Sequence, residues 1–187
     1  MRIIGGIHRG RVLKAPKGTD VRPTSDKPRQ SLFDVLMHGT PGGERFDIRE
    51  KTVLDAFCGT GAFALEAISR GAAGAVMMDL DGKALDAARE NVRALREEQH
   101  VKIIQADLTK PPASDRRCDL VFLDPPYGLG LGPEALAALA NKGWIAPGAL
   151  AILEVGAREK AAAPDGFKAA DERRVGPAKF LFFRYAP

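Results

Sequence analysis

Between residues 52 and 156 short apolar runs alternate with stretches of helical periodicity, and this restricts the possible folds more than any other feature of the chain. TVLDAFCG is strand-like and ends in glycine, AFALEAISRG has helical spacing and stops at Gly71, AVMMDLD is a second strand, and GKALDAARENVRALREE is a second helix. VKIIQADL, CDLVFLDPPY and GALAILEVG read as further strands; GPEALAALANKG, opened by Pro133 and closed by Gly143, is a helix between the last two. Strands that alternate with helices pack as a parallel sheet covered on both faces. The end departs from this pattern, because FKAADERRVG and AKFLFFRYAP are joined by a Gly176-Pro177 turn with no helix between them. The last strand is therefore predicted antiparallel in an otherwise parallel, seven-stranded, Rossmann-like α/β sheet.

The residues before this core divide in two. RIIGGIHRGRVLKAP alternates enough for a small β-ribbon, and TSDKPRQSLFDVLMHG reads as a helix capped by Ser25 or Asp26 with Pro28 in its first turn. The expected organisation is one domain over 1–187, with a basic β extension at 1–20, a lead-in helix at 21–40 and the core at 51–187. The first forty residues carry eight Lys and Arg (Arg2, Arg9, Arg11, Lys14, Lys17, Arg22, Lys27 and Arg29) against Asp20, Asp26 and Asp34. The whole chain has a net charge of +4, so the remainder is close to neutral. A basic segment on a near-neutral body is a footprint for a polyanion, nucleic acid first. Arg2, Arg9, Arg11, Lys14, Arg22, Lys27 and Arg29 are the candidate phosphate contacts. There is no apolar run of about 18 residues and no charged-then-apolar leader, so a cytoplasmic protein is expected. Cys58 and Cys118, like the scattered His8, His38 and His100, match no metal-ligand spacing, so free thiols, no metal and no histidine base are expected.

The loop Asp55-Ala56-Phe57-Cys58-Gly59-Thr60-Gly61 falls where the first strand becomes the first helix, and Asp79 ends the second strand. Glycines there admit a ligand close to the backbone, and the later acid is placed to accept from ribose hydroxyls. A dinucleotide would also satisfy Gly59-x-Gly61-x-x-Ala64. Three details favour S-adenosylmethionine over NAD. Asp55 would repel a pyrophosphate but suits an ammonium group. Asp107 ends the third strand, where it can accept from an adenine amino group. Asp124-Pro125-Pro126-Tyr127 ends the fourth. Phe57, Cys58, Leu80 and Leu108 complete the expected cofactor set with Asp55, Gly59, Gly61, Asp79 and Asp107, whereas Asp81 reads as a helix cap.

Asp124-Pro125-Pro126-Tyr127 leaves a buried strand as a rigid, extended segment, because proline fixes φ and pushes its predecessor away from helix. It resembles the motif of methyltransferases that act on planar exocyclic nitrogens, in which the amino group lies between the motif's side chain and a proline carbonyl. An amino group on a base has its lone pair delocalised into the ring and attacks poorly unless acceptors draw on its hydrogens. Asp124 and the Pro125 carbonyl can supply them, leaving positioning and hydrogen bonding to carry catalysis. Tyr127 offers a stacking face to a base that has left its stack.

In order and spacing, RIIGGIHRGR, RPTSDKPRQSLF, LDAFCGTG, MMDLD and DPPY resemble the RsmD family of small bacterial 16S ribosomal RNA guanine-N2 methyltransferases over nearly the whole chain. That resemblance implies a class I methyltransferase fold and S-adenosylmethionine as cofactor. It also implies catalysis by Asp124, Pro125, Pro126 and Tyr127, and 16S ribosomal RNA within an assembling or assembled 30S subunit as partner of a monomeric enzyme. Where the family has Arg-x-Arg-Glu in the lead-in helix, this chain has Lys27-Pro28-Arg29-Gln30 and loses a carboxylate. The residues alone specify an amino-directed nucleic-acid methyltransferase. A DNA adenine-N6 or cytosine-N4 enzyme can carry the same motif but would need a target-recognition domain, for which no segment is free. For a protein or small-molecule methyltransferase the basic segment would be superfluous.

Overall fold

The computed structural model of the protein describes residues 1–15, 26–41, 45–176 and 178–187. Its elements are α1 (Asp26–His38), β1 (Thr52–Ala56), α2 (Ala62–Ser69), β2 (Gly74–Asp79), α3 (Gly82–Leu95), β3 (Val101–Gln105), β4 (Cys118–Leu123), α4 (Leu131–Asn141), β5 (Ile145–Gly156), β6 (Phe167–Val175) and β7 (Ala178–Tyr185). The strands form one sheet in the order β3-β2-β1-β4-β5-β7-β6. Pairs from β3 to β5 are parallel, and β7 runs antiparallel to both β5 and β6. The strand order reverses between β1 and β4, and the crevice above their carboxyl ends is where such sheets bind ligands.

Period-2 alternation sorts each central strand between two cores. Val53, Met77, Leu120, Phe122, Leu150 and Ile152 face a core closed by α1, α2 and α3, while Leu54, Val76, Val121, Leu123, Ala151 and Leu153 face one closed by α4 and Trp144. Helix α3 is amphipathic, with Leu85, Ala88, Val92 and Leu95 inward and Asp81 capping it by accepting from Lys83 N at 2.8 Å.

Helix α2 is different: every residue from Phe63 to Ser69 is buried. The sheet covers one side and the N-terminal ribbon the other. The ribbon is a single antiparallel bridge, Arg2 to Val12, flanked by hydrogen bonds such as Gly10 N to Ile3 O at 2.8 Å. It docks through its backbone: Ile4 N and Gly5 N donate to the Glu66 carboxylate at 2.7 and 2.8 Å, and His8 N donates to Ser69 Oγ at 2.9 Å. Ile3 and Leu13 enter the core beneath. The cap expected from Ser25 or the Asp26 side chain, and Pro177 of the expected turn, lie outside the described residues. Among the described residues no helix is long and apolar enough to cross a membrane, and both cysteines are free thiols.

Candidate active site

The alternation that builds the two cores also aims the acids. Two residues beyond Met77 is Asp79, two beyond Val53 is Asp55, two beyond Phe122 is Asp124, and two beyond Ile152 is Glu154, so all four leave the sheet on the face of α1 and α2. Register sets their heights. Leu123 pairs with Leu153, which brings Asp124 and Glu154 level on adjacent strands, while Asp55 sits two residues lower, paired with Phe122.

Above these strand ends is a cavity of about 190 Å³. Asp55, Phe57, Cys58, Gly59 and Thr60 supply the wall after β1, Phe122 and Asp124 the wall from β4, Glu154 that from β5, and Phe180 that from β7. Met1, Arg29, Leu32, Ala62 and Phe63 close the other side. Phe63 stacks on Phe122 with ring centroids 4.1 Å apart, giving an apolar floor.

The loop after β1 turns sharply through left-handed residues: Phe57 has φ 62°, Gly59 53° and Gly61 76°. A phenylalanine in that region is uncommon and is held there by its surroundings. Cys58 N bonds Met78 O at 2.9 Å, and Gly61 N bonds Cys58 O at 2.8 Å. The two glycines serve different ends. A Cβ on Gly59 would meet nothing within 4 Å, so its backbone is open to a ligand; one on Gly61 would meet Met77 Sδ at 2.7 Å, so Gly61 is a packing requirement of α2 against β2. Asp79 braces the loop, its two oxygens accepting from Gly59 N at 2.8 Å and Asp81 N at 3.0 Å. Asp55 accepts from Ala64 N at 3.0 Å in the first turn of α2.

Acids outnumber cations in the cavity wall. Burial, reinforced by Asp124 and Asp79, pushes the Asp55 carboxyl well above the usual carboxylate range, against a backbone hydrogen bond from Ala64 and the lowering effect of Arg29. Burial and then Asp124 raise Glu154 to about 7, although Tyr127 donates to its Oε1 at 2.9 Å. Burial, then Asp55 and Asp79, raise the Cys58 thiol, which is therefore no thiolate nucleophile. Among the described residues of the wall the cationic side chain is Arg29; its Nη2 donates to Arg2 O at 2.6 Å and its Nε lies 3.9 Å from Glu66. A site with this balance suits a small cationic ligand and opposes a pyrophosphate.

Of the expected cofactor residues, the cavity brings together Asp55, Phe57, Cys58 and Gly59. Asp79 joins through the loop, and Leu80, 65% exposed, follows it on the open rim. Asp107 lies farther along the rim, where the Thr109 hydroxyl and amide hold its carboxyl below the usual range. Leu108 is a correction: its side chain is packed in the α4-side core and does not line the cavity, because in the turn after β3 an apolar side chain gains more from burial there than from the open rim. Arg29 is a second. Its place in a basic segment suggests a phosphate contact, but it is only 4% exposed, covered by the ribbon and set in the cavity wall. Arg2, Arg9, Arg11, Lys14 and Lys27 are exposed as expected, and Arg22 lies outside the described residues. Of the motif after β4, Asp124 lines the cavity, Pro125 is buried, Pro126 is exposed, and Tyr127, 49% exposed, reaches the cavity only through its hydroxyl bond to Glu154. Glu154 is a site residue that the sequence motifs do not single out. Its signal is present in GALAILEVG, an acid on the alternation of Leu150 and Ile152 inside a fully apolar strand.

A family described as conserved hypothetical protein 95 matches residues 1–184. Ribosomal RNA small subunit methyltransferase D of Haemophilus influenzae is 30% identical over 98% of this chain and 93% of its own length. Its namesake in Escherichia coli strain K12 is 34% identical over 82% and 74%. The chain belongs to this family, RsmD. Among solved structures, the Escherichia coli methyltransferase yhhF covers 100% of this RsmD chain and 98% of its own at 30% identity, with a TM-score of 0.81. An RNA methyltransferase from Salinibacter ruber in complex with S-adenosyl-L-homocysteine, 16% identical, shares the fold with a TM-score of 0.64 over 88% and 94%.

Proposed function

We propose that this protein transfers a methyl group from S-adenosylmethionine to the exocyclic N2 amino group of a guanine in 16S ribosomal RNA. The observation that carries the reading is Asp124, which leaves β4 beside two prolines and opens into the same cavity as the buried Asp55. The names of its relatives supply the ribosomal target.

The cavity fits the cofactor by charge: Asp55 is buried without a full counter-charge, and an ammonium would supply one. Asp55 would hold the methionine end, Gly59 would allow close approach, Asp79 would accept from the ribose, and Leu80 and Asp107 would lie along the adenine. When bound, S-adenosylmethionine supplies a methyl carbon on a cationic sulfur, and as the guanine nitrogen bonds to that carbon the carbon–sulfur pair returns to sulfur. Asp124 and the Pro125 carbonyl accept the two amino hydrogens, restoring lone-pair density to the nitrogen. Once methylated, that nitrogen is acidic and releases a proton to Asp124 or to water. The methyl is already activated by its sulfur, so the step needs neither a metal nor a strong base. Tyr127 stacks on the extruded base. The exposed Arg and Lys of the ribbon and α1 hold the phosphates. A cytoplasmic monomer acting on an assembling or assembled 30S subunit is the corresponding setting.

Labelled S-adenosylmethionine, with 16S ribosomal RNA or small subunits from cells lacking the enzyme, tests this directly. Label at N2 of one guanine is expected; label on adenine or cytosine, or in neither substrate, overturns it.

A further inference from the structure

We infer that Glu154 selects guanine, its carboxylate accepting the ring N1–H while Asp124 takes the adjacent amino group. The inference rests on the guanine-N2 reading above and deepens it.

Glu154 is 3% exposed, on a strand whose other inward residues are apolar, and it lines the cavity. Tyr127 donates to its Oε1, and its Oε2 is buried with no hydrogen-bond partner. A buried carboxylate oxygen in that state is costly unless a donor reaches it. Asp124 is level with it on the neighbouring strand and faces the same side. Two adjacent carboxylates present acceptors and no donor, so they match an edge on which two donors lie side by side.

Among the bases with an exocyclic amine, guanine alone has such an edge. Its N2 amino group adjoins an N1–H, whereas the amino groups of adenine and cytosine adjoin a ring nitrogen with a lone pair. With Asp124 on the amine, either would set that lone pair against Glu154 and leave the carboxylate unpaired. The same pocket that activates an amino group thereby rejects the wrong amines. Selection requires the ionised form. Burial and Asp124 hold Glu154 near 7, and Asp55 and Arg29 line the same cavity, so selection should strengthen as pH rises above that value.

The test compares 16S ribosomal RNA carrying guanine at the modified position with the same RNA carrying 2-aminopurine there, introduced by ligating a synthetic oligonucleotide. 2-Aminopurine keeps the amine but has a lone pair at N1. Single-turnover rates at pH 8.5 are measured for wild type and Glu154→Gln, whose amide can face either a donor or an acceptor. 2-Aminopurine also lacks O6, but that difference affects both enzymes alike, so the change in preference reports the residue. Wild type should prefer guanine by about 30-fold or more, and the preference should fall by roughly tenfold or more in Glu154→Gln. A preference within about threefold of wild type's in the variant, or no preference in wild type, overturns the inference. If Glu154→Gln does not fold, the wild-type preference is followed with pH and must fall as pH drops through about 7; a flat profile overturns it. Wild type that methylates neither RNA removes the parent function itself, a separate and recognisable result.

Discussion

Two glutamates are buried on the same side of the sheet, and they are in opposite states. Glu66 is enclosed between α2 and the ribbon, where Ile4 N, Gly5 N and Arg70 Nε all donate to it within 2.8 Å. Glu154 receives one phenolic hydroxyl and keeps its second oxygen bare, beside another carboxylate. A buried charge with every oxygen satisfied holds a fold together; one left wanting donors weakens the fold and waits for a ligand. The contrast separates the two ends of the molecule. Around Glu66 the sequence has optimised docking of the ribbon, and around Glu154 it has kept a site that only a substrate completes.

Asp124→Ala should sharpen that contrast most. Single-turnover methylation should fall by about 100- to 1,000-fold, since the reacting amine then lacks an acceptor. Its melting temperature should equal or exceed wild type's, because removing Asp124 relieves a repulsion on both Asp55 and Glu154. Calorimetric affinity for S-adenosylmethionine should be nearly intact. A variant that instead loses stability and activity in parallel would make the motif a mere strand terminator. Glu66→Ala should do the opposite. It strands two backbone amides and uncouples Arg70, at a cost of about 3 kcal/mol, which for a chain of this size lowers the melting temperature by roughly 6–12 °C. Residual activity should follow the folded fraction.

The third test uses pH. Glu154 titrates at about 7 in the folded protein against an ordinary value of 4.5. Between these values the folded state holds a proton that the unfolded chain has released, so stability falls as pH rises. The contribution is fully present below about 4.5 and gone above about 7. Glu154→Gln cannot ionise, so its melting temperature should match wild type's near pH 5 and exceed it by several degrees at pH 8, corresponding to about 1–2 kcal/mol. Melting curves that stay parallel across this range would place Glu154 with the satisfied carboxylates.

How legible each feature is in the sequence follows from how locally it is encoded. Gly59, Asp79 and Asp124 stand at strand ends marked by turn residues, so their neighbourhood identifies them. The strand directions are legible because helices separate β1 from β2, β2 from β3 and β4 from β5, which dictates parallel pairing there, and a bare Gly176-Pro177 junction dictates a hairpin. Glu154 carries no turn signal, and only register against β4 brings it to Asp124. Arg29 looks like one more cation of a basic segment. Its burial depends on the ribbon folding back over α1 and α2, an interaction between residues 27 positions apart that no local pattern announces. Leu108 errs the other way: an acid on the rim suggests that its neighbour faces the ligand, but Leu108 falls in the turn after β3, where no strand pattern fixes its direction, and it packs into the core.

The smallest effect is expected at the ribbon's surface, where the contrast meets RNA. Its backbone is fixed by Glu66, Ser69 and Asn91, the last accepting from Lys14 N at 2.7 Å, so its exposed side chains can vary without disturbing the docking. Arg9 and Arg11 are exposed; Arg11 directs one nitrogen to Ala94 O at 2.8 Å, which helps aim it but involves no core residue. Arg9→Ala with Arg11→Ala should therefore leave melting unchanged while weakening RNA binding at modest salt for all sequences alike. The logarithmic salt dependence should flatten by about one unit for each phosphate that is no longer held, less for unpaired RNA. Guanine preference should not move, because phosphate contacts position the substrate and the pocket reads the base. Deleting residues 1–15 would be the wrong probe, since it also removes Ile3 and Leu13 from the core and uncovers Glu66. Titrations of the double variant at several salt concentrations decide the matter: an unchanged affinity and slope would leave the ribbon a structural cover for α2 and nothing more.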